Sequence, residues 1–383
     1  MLSGPLMPGI FFILGALIDH VSSAVLPPSP LCRPVVFSVH AAAQNGVFLY
    51  PPNPNSAQDI VDFIHGAYTN TTGPLMNGTV TVEGDFTVNG IYCRPTKPRL
   101  NQTTLQILVH GASYDKSMWS GYGFGDDYNW QAKATARGYH TLAIDRLAHG
   151  DDKQYLDPFK VVQGTLDLEI LHQVINILRA DNHHQNPLPQ RFQRIIYVGH
   201  SYGTIVGVGL ANKYPADLDA MVATGFTVFL NSTAIINYLQ ITSAALSSPR
   251  FAQLPYGYVT SLSEASRELS FYSGAYDPRI PRADYARRDT LTAGEAGYTG
   301  FATPAFGFAK PVLLTSGEQD KITCNSPVLR CADMLATTGA VLFPDAGVRE
   351  VYAPPNTGHD LTLHYSAPET MRVVHDFLDR NFA

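Results

Sequence analysis

From residue 105 onward the chain alternates between two hydrophobic periods. Short apolar runs of strand length are separated by stretches with helical spacing. The predicted strands are residues 105–109, 139–144, 195–198, 220–224, 311–315 and 349–352. Residues 195–198, 220–223 and 312–314 are unbroken apolar runs, as strands buried on both faces are. Helical spacing runs over 161–180, with Leu166, Ile170, Val174, Ile177 and Leu178 on one side. It recurs over 204–214, where Pro215 ends it, and over 369–382 as an amphipathic closing helix. Strands alternating with helices predict an α/β class, with a doubly wound and mainly parallel sheet.

Two regions break this rhythm. Residues 34–39, 46–50, 79–83 and 86–92 read as strands, the last two as a hairpin across Gly84-Asp85. Residues 225–310 are too long for a simple crossover and rich in rings, among them Tyr238, Phe251, Tyr258, Phe271 and Tyr272. They predict an inserted, mostly helical cap, a lid that shapes an apolar pocket, with most of its rings in the core. The expected organisation is a signal peptide over 1–24 and a β-rich N-terminal extension over 25–98. The core follows over 99–225 and 309–383, interrupted by a cap insertion over 226–308.

The signal reading rests on the apolar block at 9–18 (GIFFILGALI) and the small residues Ser22-Ser23-Ala24. No Lys or Arg precedes the block. A membrane span needs about 20 apolar residues, roughly twice this run, so no stable span is expected. Asn-x-Ser/Thr acceptors for glycosylation stand at Asn70, Asn77, Asn101 and Asn231. The four cysteines, Cys32, Cys93, Cys324 and Cys331, allow three pairings. The favoured one joins Cys324 to Cys331 and Cys32 to Cys93. Together these features predict a secreted glycoprotein. The formal charge of −6, without a basic run, argues against a nucleic-acid partner. No Cys-x-x-Cys pair exists, and no metal site is expected. The residues assign no oligomeric state.

The chemistry begins at Gly199-His200-Ser201-Tyr202-Gly203, a G-x-S-x-G pentad between a predicted strand and a predicted helix. That setting places a serine on a strained turn above the sheet edge. A serine hydroxyl is a weak nucleophile and needs a base, and the base needs an orienting acid. Both should follow in the order Ser, Asp/Glu, His, each after a strand. Asp320 fits the acid position, with Glu318 as alternative. His359 fits the base position, with His364 as alternative. Two oxyanion donors are expected, the Tyr202 N–H and the Ala112 N–H, with Ser113 as second choice for the latter. Gly121-Tyr122-Gly123-Phe124-Gly125 has no Lys-Ser/Thr after it and reads as a mobile loop, not a phosphate loop. Ser113, Trp119, Tyr122 and Phe124 are the candidate pocket residues.

His110-Gly111-Ala112, Ile144 to Gly150, the Gly199–Gly203 elbow, Gly317 to Asp320 and Gly358-His359 together resemble the α/β-hydrolase superfamily over residues 100–383. The first hundred residues, with their cysteine pair, look like those of its secreted fungal members. No His-Gly-Gly-Gly run is present, which disfavours the lipase and esterase branch that carries it. Ser, not Asp, at the nucleophile position disfavours epoxide hydrolases and dehalogenases. The expectation is a serine hydrolase acting on a small-molecule ester or lactone, with no cofactor. A same-fold acyltransferase, lyase or cyclisation enzyme is the alternative, and a non-catalytic binding protein on this fold the second.

Overall fold

The computed structural model describes residues 31–69, 76–95, 103–150, 155–180, 185–229, 235 and 237–382. The apolar block at 9–18 and the acceptors Asn70, Asn101 and Asn231 lie outside these residues. Asn77 is exposed.

Eight strands form one sheet in the order β1-β2-β4-β3-β5-β6-β10-β11. They are β1 Cys32–Phe48, β2 Met76–Cys93, β3 Thr104–Val109, β4 His140–Ile144, β5 Arg194–His200, β6 Ala220–Thr224, β10 Val312–Thr315 and β11 Arg349–Tyr352. The six from β4 to β11 are mutually parallel. The pair β1 and β2 adds an antiparallel edge. Helices α2 Trp130–Ala136, α3 Gly164–Arg179, α4 Tyr202–Lys213, α8 Cys331–Leu342 and α9 Ala367–Phe382 flank the sheet, and α1 Ala57–Thr69 packs on the inserted segment.

Two cores lie on the two faces because strand side chains alternate. Leu105, Ile107 and Val109 pack with the apolar stripe of α3, including Leu166, Ile170 and Val174. Leu108, Val198 and Leu313 pack with Trp130 and with Met371, Val374 and Phe377 of α9. The chain leaves β3 for β4 on one side and later returns to β5 on the other. That reversal is the switch point of a doubly wound sheet, where a crevice opens at the carboxyl ends of neighbouring strands.

The N-terminal extension differs from expectation. It is one ladder of two long strands, running from Cys32 opposite Cys93 to Phe48 opposite Met76. Gly84 and Asp85 make no turn and pair with Ala41 and His40. The alanines that seemed to interrupt the first strand are small for a reason. Val35, Phe37, Val39, Ala41 and Ala43 alternate inward onto the core. Gln163, just before α3, closes the ladder by donating to the Gly46 carbonyl (2.9 Å) and accepting from the Gly46 N–H (2.8 Å).

The insertion holds helices α5 Glu264–Phe271, α6 Ile280–Arg287 and α7 Ala293–Gly297. It also holds a small antiparallel sheet that the sequence pattern did not disclose, with β8 Tyr258–Ser261 between β7 Ile241–Ser243 and β9 Leu291–Thr292. These strands are too short to show a period. Phe251, Tyr258, Phe271, Tyr272 and Phe308 are buried as expected of core rings.

Both expected disulfides are formed, Cys32–Cys93 and Cys324–Cys331, closing sequence separations of 61 and 7. The longer loop confines the unfolded chain more, about 4 against about 2.5 kcal/mol in chain-entropy terms. Replacing Cys32 and Cys93 together by Ser should therefore lower the unfolding free energy more than the same change at Cys324 and Cys331. Denaturant titrations of the two double variants measure this, and the reverse order would contradict it.

Candidate active site

The nucleophile candidate sits where β5 ends and α4 begins. Ser201 adopts φ 51° and ψ −115°. Left-handed backbone of this kind costs a non-glycine residue on the order of 1–3 kcal/mol. Its surroundings hold it there. The Ser201 N–H donates to the Thr224 carbonyl (2.8 Å). Thr204 Oγ1 donates to the carbonyls of Gly199 and Thr224, both at 2.9 Å. Tyr197 Oη donates to the Gly203 carbonyl (2.6 Å). The two glycines are required by crowding. A Cβ on Gly203 would lie 2.4 Å from the Val109 carbonyl oxygen, and one on Gly199 2.7 Å from that of Gly203. Ser201 stands at the N-cap of α4 yet makes no capping bond, and it is half-buried. Its hydroxyl is left for other chemistry.

Asp320 and His359 meet beside it. His359 Nδ1 lies 2.8 Å from Asp320 Oδ2. Asp320 is buried and fully bonded. Its Oδ2 accepts from Ser316 Oγ and Thr323 Oγ1, each at 2.6 Å. Its Oδ1 accepts from the N–H groups of Ile322 (2.8 Å) and Thr323 (3.0 Å). Burial pushes this carboxyl up, but His359 and the two hydroxyl donors outweigh it and hold the group well below the usual carboxylate range. Glu318, the alternative acid, is exposed. The His359 ring lies 4.9 Å from that of His200, next to Ser201, and Phe271 of α5 stacks on it at 5.4 Å. Ser201 Oγ has no hydrogen-bond partner among the described residues. Bonds of this kind are often long in unliganded sites and tighten around substrate.

His364, the alternative base, has another task. Its Nε2 accepts from the Gly358 N–H (3.0 Å), and its Nδ1 donates to the Asp360 carbonyl (2.8 Å). It braces the loop that carries His359. Burial holds its pKa down at about 4.

The oxyanion candidates resolve to one pair. The Ser113 N–H is already spent on the Thr290 carbonyl (2.9 Å), so Ser113 is excluded as donor. The N–H groups of Ala112 and Tyr202 have no partner among the described residues. Gly111 brings the first of them close, since a Cβ there would lie 3.0 Å from Ser201 Cβ. The Gly111 carbonyl accepts from His110 Nδ1 (2.9 Å) and Arg146 Nη2 (3.4 Å). In a trans peptide the carbonyl and the following N–H point opposite ways, so these bonds aim the Ala112 N–H away from Arg146.

Arg146 is a residue that motif reading left without a role. It is buried, stacks over the Tyr202 ring at 4.7 Å, donates to Asp167 Oδ2 (3.0 Å) and pairs with Glu295. Glu295 also caps α7 through the Thr292 N–H (2.7 Å). The insertion is thereby tied to the residue after Ser201. It is tied again at the His359 loop, where the Ala275 N–H donates to the Asn356 carbonyl (2.8 Å) and the Asp360 N–H to that of Phe271 (3.2 Å).

The pocket candidates are engaged in packing and hydrogen bonds of their own. Trp119 has no accessible surface and packs edge-on against Trp130 at 5.5 Å, so it faces no pocket. Tyr122 is buried and donates to Asp284 Oδ1 (3.2 Å). Phe124 is half-buried beside Tyr128, 6.5 Å between ring centres. Ser113 is buried and bonded to Arg267. The glycine-rich stretch ends a 3-10 helix, Lys116–Gly123, capped by Asp115 through the Ser117 N–H (2.7 Å). Gly121, at φ 66°, packs against the Tyr128 backbone. The expected mobile loop is a packed turn. Among the described residues no cluster could hold a metal ion, and no helix is long and apolar enough to cross a membrane.

A doubly wound sheet with a strained serine at its switch point defines the α/β-hydrolase class. The family model described as "Alpha/beta hydrolase family" matches residues 106–372, and the chain belongs to that family. Similar solved structures include an E-2-(acetamidomethylene)succinate hydrolase, 18% identical, covering 76% of this chain and 95% of that one, TM-score 0.48. An esterase from Thermogutta terrifontis is 16% identical, covering 78% and 95%, TM-score 0.49. A monoacylglycerol lipase from Paleococcus ferrophilus is 15% identical, covering 76% and 98%, TM-score 0.48. A search of curated proteins finds no match.

The His364 brace gives a pH signature. Its folded pKa of about 4 lies below the ordinary imidazole value of 6.5. Between these values the unfolded chain binds a proton that the folded chain does not, so stability rises with pH through this window and is lost as pH falls. In His364→Gln the slope of unfolding free energy against pH, between about 4.5 and 6, should drop by about 1 kcal/mol per unit. An unchanged slope in denaturant titrations would show that His364 is not held neutral.

Proposed function

We propose that the chain is a serine hydrolase that cleaves carboxylic esters or lactones through an acyl-enzyme on Ser201. The observation that carries this reading is the Ser201 backbone at φ 51° and ψ −115°, its hydroxyl unused as a cap, beside the Asp320–His359 pair. A serine that served structure alone would cap α4 and avoid the strain.

In the proposed reaction Ser201 Oγ attacks the substrate carbonyl carbon and gives its proton to His359 Nε2. The carbonyl π pair moves onto oxygen, and the N–H groups of Ala112 and Tyr202 bind the oxyanion. Collapse reforms the carbonyl and expels the alkoxide, which takes the proton from His359. Water, deprotonated by His359, then attacks the acyl-enzyme, and Ser201 Oγ leaves and recovers its proton. Asp320, ionised and held by four donors besides His359, keeps Nδ1 of the imidazole protonated and Nε2 turned toward Ser201. The chain supplies every group in these steps, so no cofactor is invoked.

The insertion at 226–308 forms walls around this site and is tied to both of its loops. The proposed division is an extension at 25–98, whose strands β1 and β2 form the antiparallel edge, and a core over 99–225 and 309–383. We also propose that the chain is exported and glycosylated. The closed disulfides, the exposed acceptor Asn77 and the apolar block at 9–18 support this.

Ser201→Ala should abolish turnover of p-nitrophenyl esters and labelling by a fluorophosphonate. Asp320→Asn should lower kcat by on the order of 10⁴-fold, the loss typical when the orienting acid no longer fixes the tautomer. Labelling that persists in Ser201→Ala would remove Ser201 as nucleophile.

A further inference from the structure

We propose that Arg267, a residue of the insertion, is a positioning residue for the oxyanion hole and acts through Ser113. This rests on the serine-hydrolase reading, with the Ala112 N–H as a donor. Arg267 and Asp284 have no exposed side-chain surface, and Arg267 grips both Asp284 oxygens, Nε to Oδ2 at 2.6 Å and Nη2 to Oδ1 at 2.8 Å. Tyr272 Oη adds a donor to Oδ2 (2.9 Å) and Tyr122 Oη one to Oδ1 (3.2 Å). The carboxylate is thus saturated and fixes the guanidinium plane, which lies over the Tyr114 ring at 4.3 Å.

The remaining donors of that fork turn to two serines, mainly Ser113, since Nη1 also donates to Ser261 Oγ (3.2 Å). Nη1 donates to Ser113 Oγ (2.9 Å) and Nη2 to the Ser113 carbonyl (3.3 Å). Ser113 has φ 61°, a left-handed conformation for a non-glycine residue. The same residue exchanges backbone bonds with the insertion, its N–H donating to the Thr290 carbonyl and its carbonyl accepting from the Asp289 N–H, both 2.9 Å. Ala112 therefore lies between two held peptides. Its own N–H is aimed by the grip of His110 and Arg146 on the Gly111 carbonyl, and its carbonyl side is fixed through Ser113. A buried ion pair serving stability alone has no need to end on the hydroxyl and carbonyl of a strained residue beside the oxyanion donor.

Arg267→Lys keeps a cation beside Asp284 but cannot reach Asp284, Ser113 Oγ and the Ser113 carbonyl together. In the folded full-length variant, amide exchange in the segment from His110 to Tyr114 should speed up. On an ester that the wild type turns over, kcat should fall about ten- to hundred-fold with KM within about threefold, because misplacing an oxyanion donor acts on the transition state. Asp284→Asn removes the charge that fixes the guanidinium plane and should shift exchange and kcat in the same direction as Arg267→Lys. Ser113→Ala, a mild variant that removes only the Oγ contact, should raise exchange in the same segment and lower kcat by about threefold. Unchanged exchange in both Arg267→Lys and Ser113→Ala would overturn the proposal. So would faster exchange with unchanged kcat, or kcat losses in Arg267→Lys and Asp284→Asn that track their losses of Tm. A wild-type chain that neither turns over esters nor labels with a fluorophosphonate would instead sink the hydrolase reading, while the exchange data would still show whether Arg267 holds the loop.

Discussion

Ser201 holds a backbone conformation that an L-residue enters only when its neighbours leave it no alternative. Those neighbours come from three strands and one helix. β5 delivers the residue, β6 takes its N–H at Thr224, α4 starts beneath it, and the end of β3 presses so close that position 203 admits only glycine. None of these contacts exists until the parallel sheet is assembled. The fold and the strain at the serine are therefore one fact, and the strain in turn keeps the hydroxyl from settling into an ordinary helix cap.

A second constraint acts on the loop facing that serine. Backbone donors bind an oxyanion only if their direction is set beforehand. In the proposed oxyanion hole that direction is set from behind, by two buried arginines. Arg146 and His110 hold the Gly111 carbonyl, and Arg267 holds Ser113. The carboxylates Glu295 and Asp284, which pair with these arginines, both belong to the insertion. The insertion therefore does more than cover the core. It carries one arginine, an acid for each arginine, and the Phe271 ring that stacks on His359.

What could be read from the sequence divides along a physical line. Local signals carried far. The apolar runs gave the parallel strands, and the search for an acid and a histidine, each after a strand, led to Asp320 and His359, which hydrogen-bond across 39 positions. The favoured pairing of Cys32 with Cys93, one of three possible arrangements, is formed and ties the start of β1 to the end of β2. The ladder itself was broken in two by Ala41 to Ala43 and by Gly84, whose small size reflects packing and not a turn. Trp119 and Tyr122 were misplaced for a related reason, since an aromatic ring near a glycine-rich stretch suits a core as well as a pocket. Arg146, Arg267, Asp284 and Glu295 carried no readable signal as a set. Their meaning depends on contacts between residues more than a hundred positions apart, such as Arg146 with Glu295 and Arg267 with Ser113.

The central claim is that this one strained serine receives the acyl group while Ala112 and Tyr202 receive the oxyanion. A crystal structure of the chain after reaction with an alkyl fluorophosphonate tests it most directly. The account predicts phosphorus bonded to Ser201 Oγ, with the phosphoryl oxygen about 3 Å from both the Ala112 and Tyr202 nitrogens. Phosphorus on another residue, or a phosphoryl oxygen turned away from both N–H groups, would contradict it.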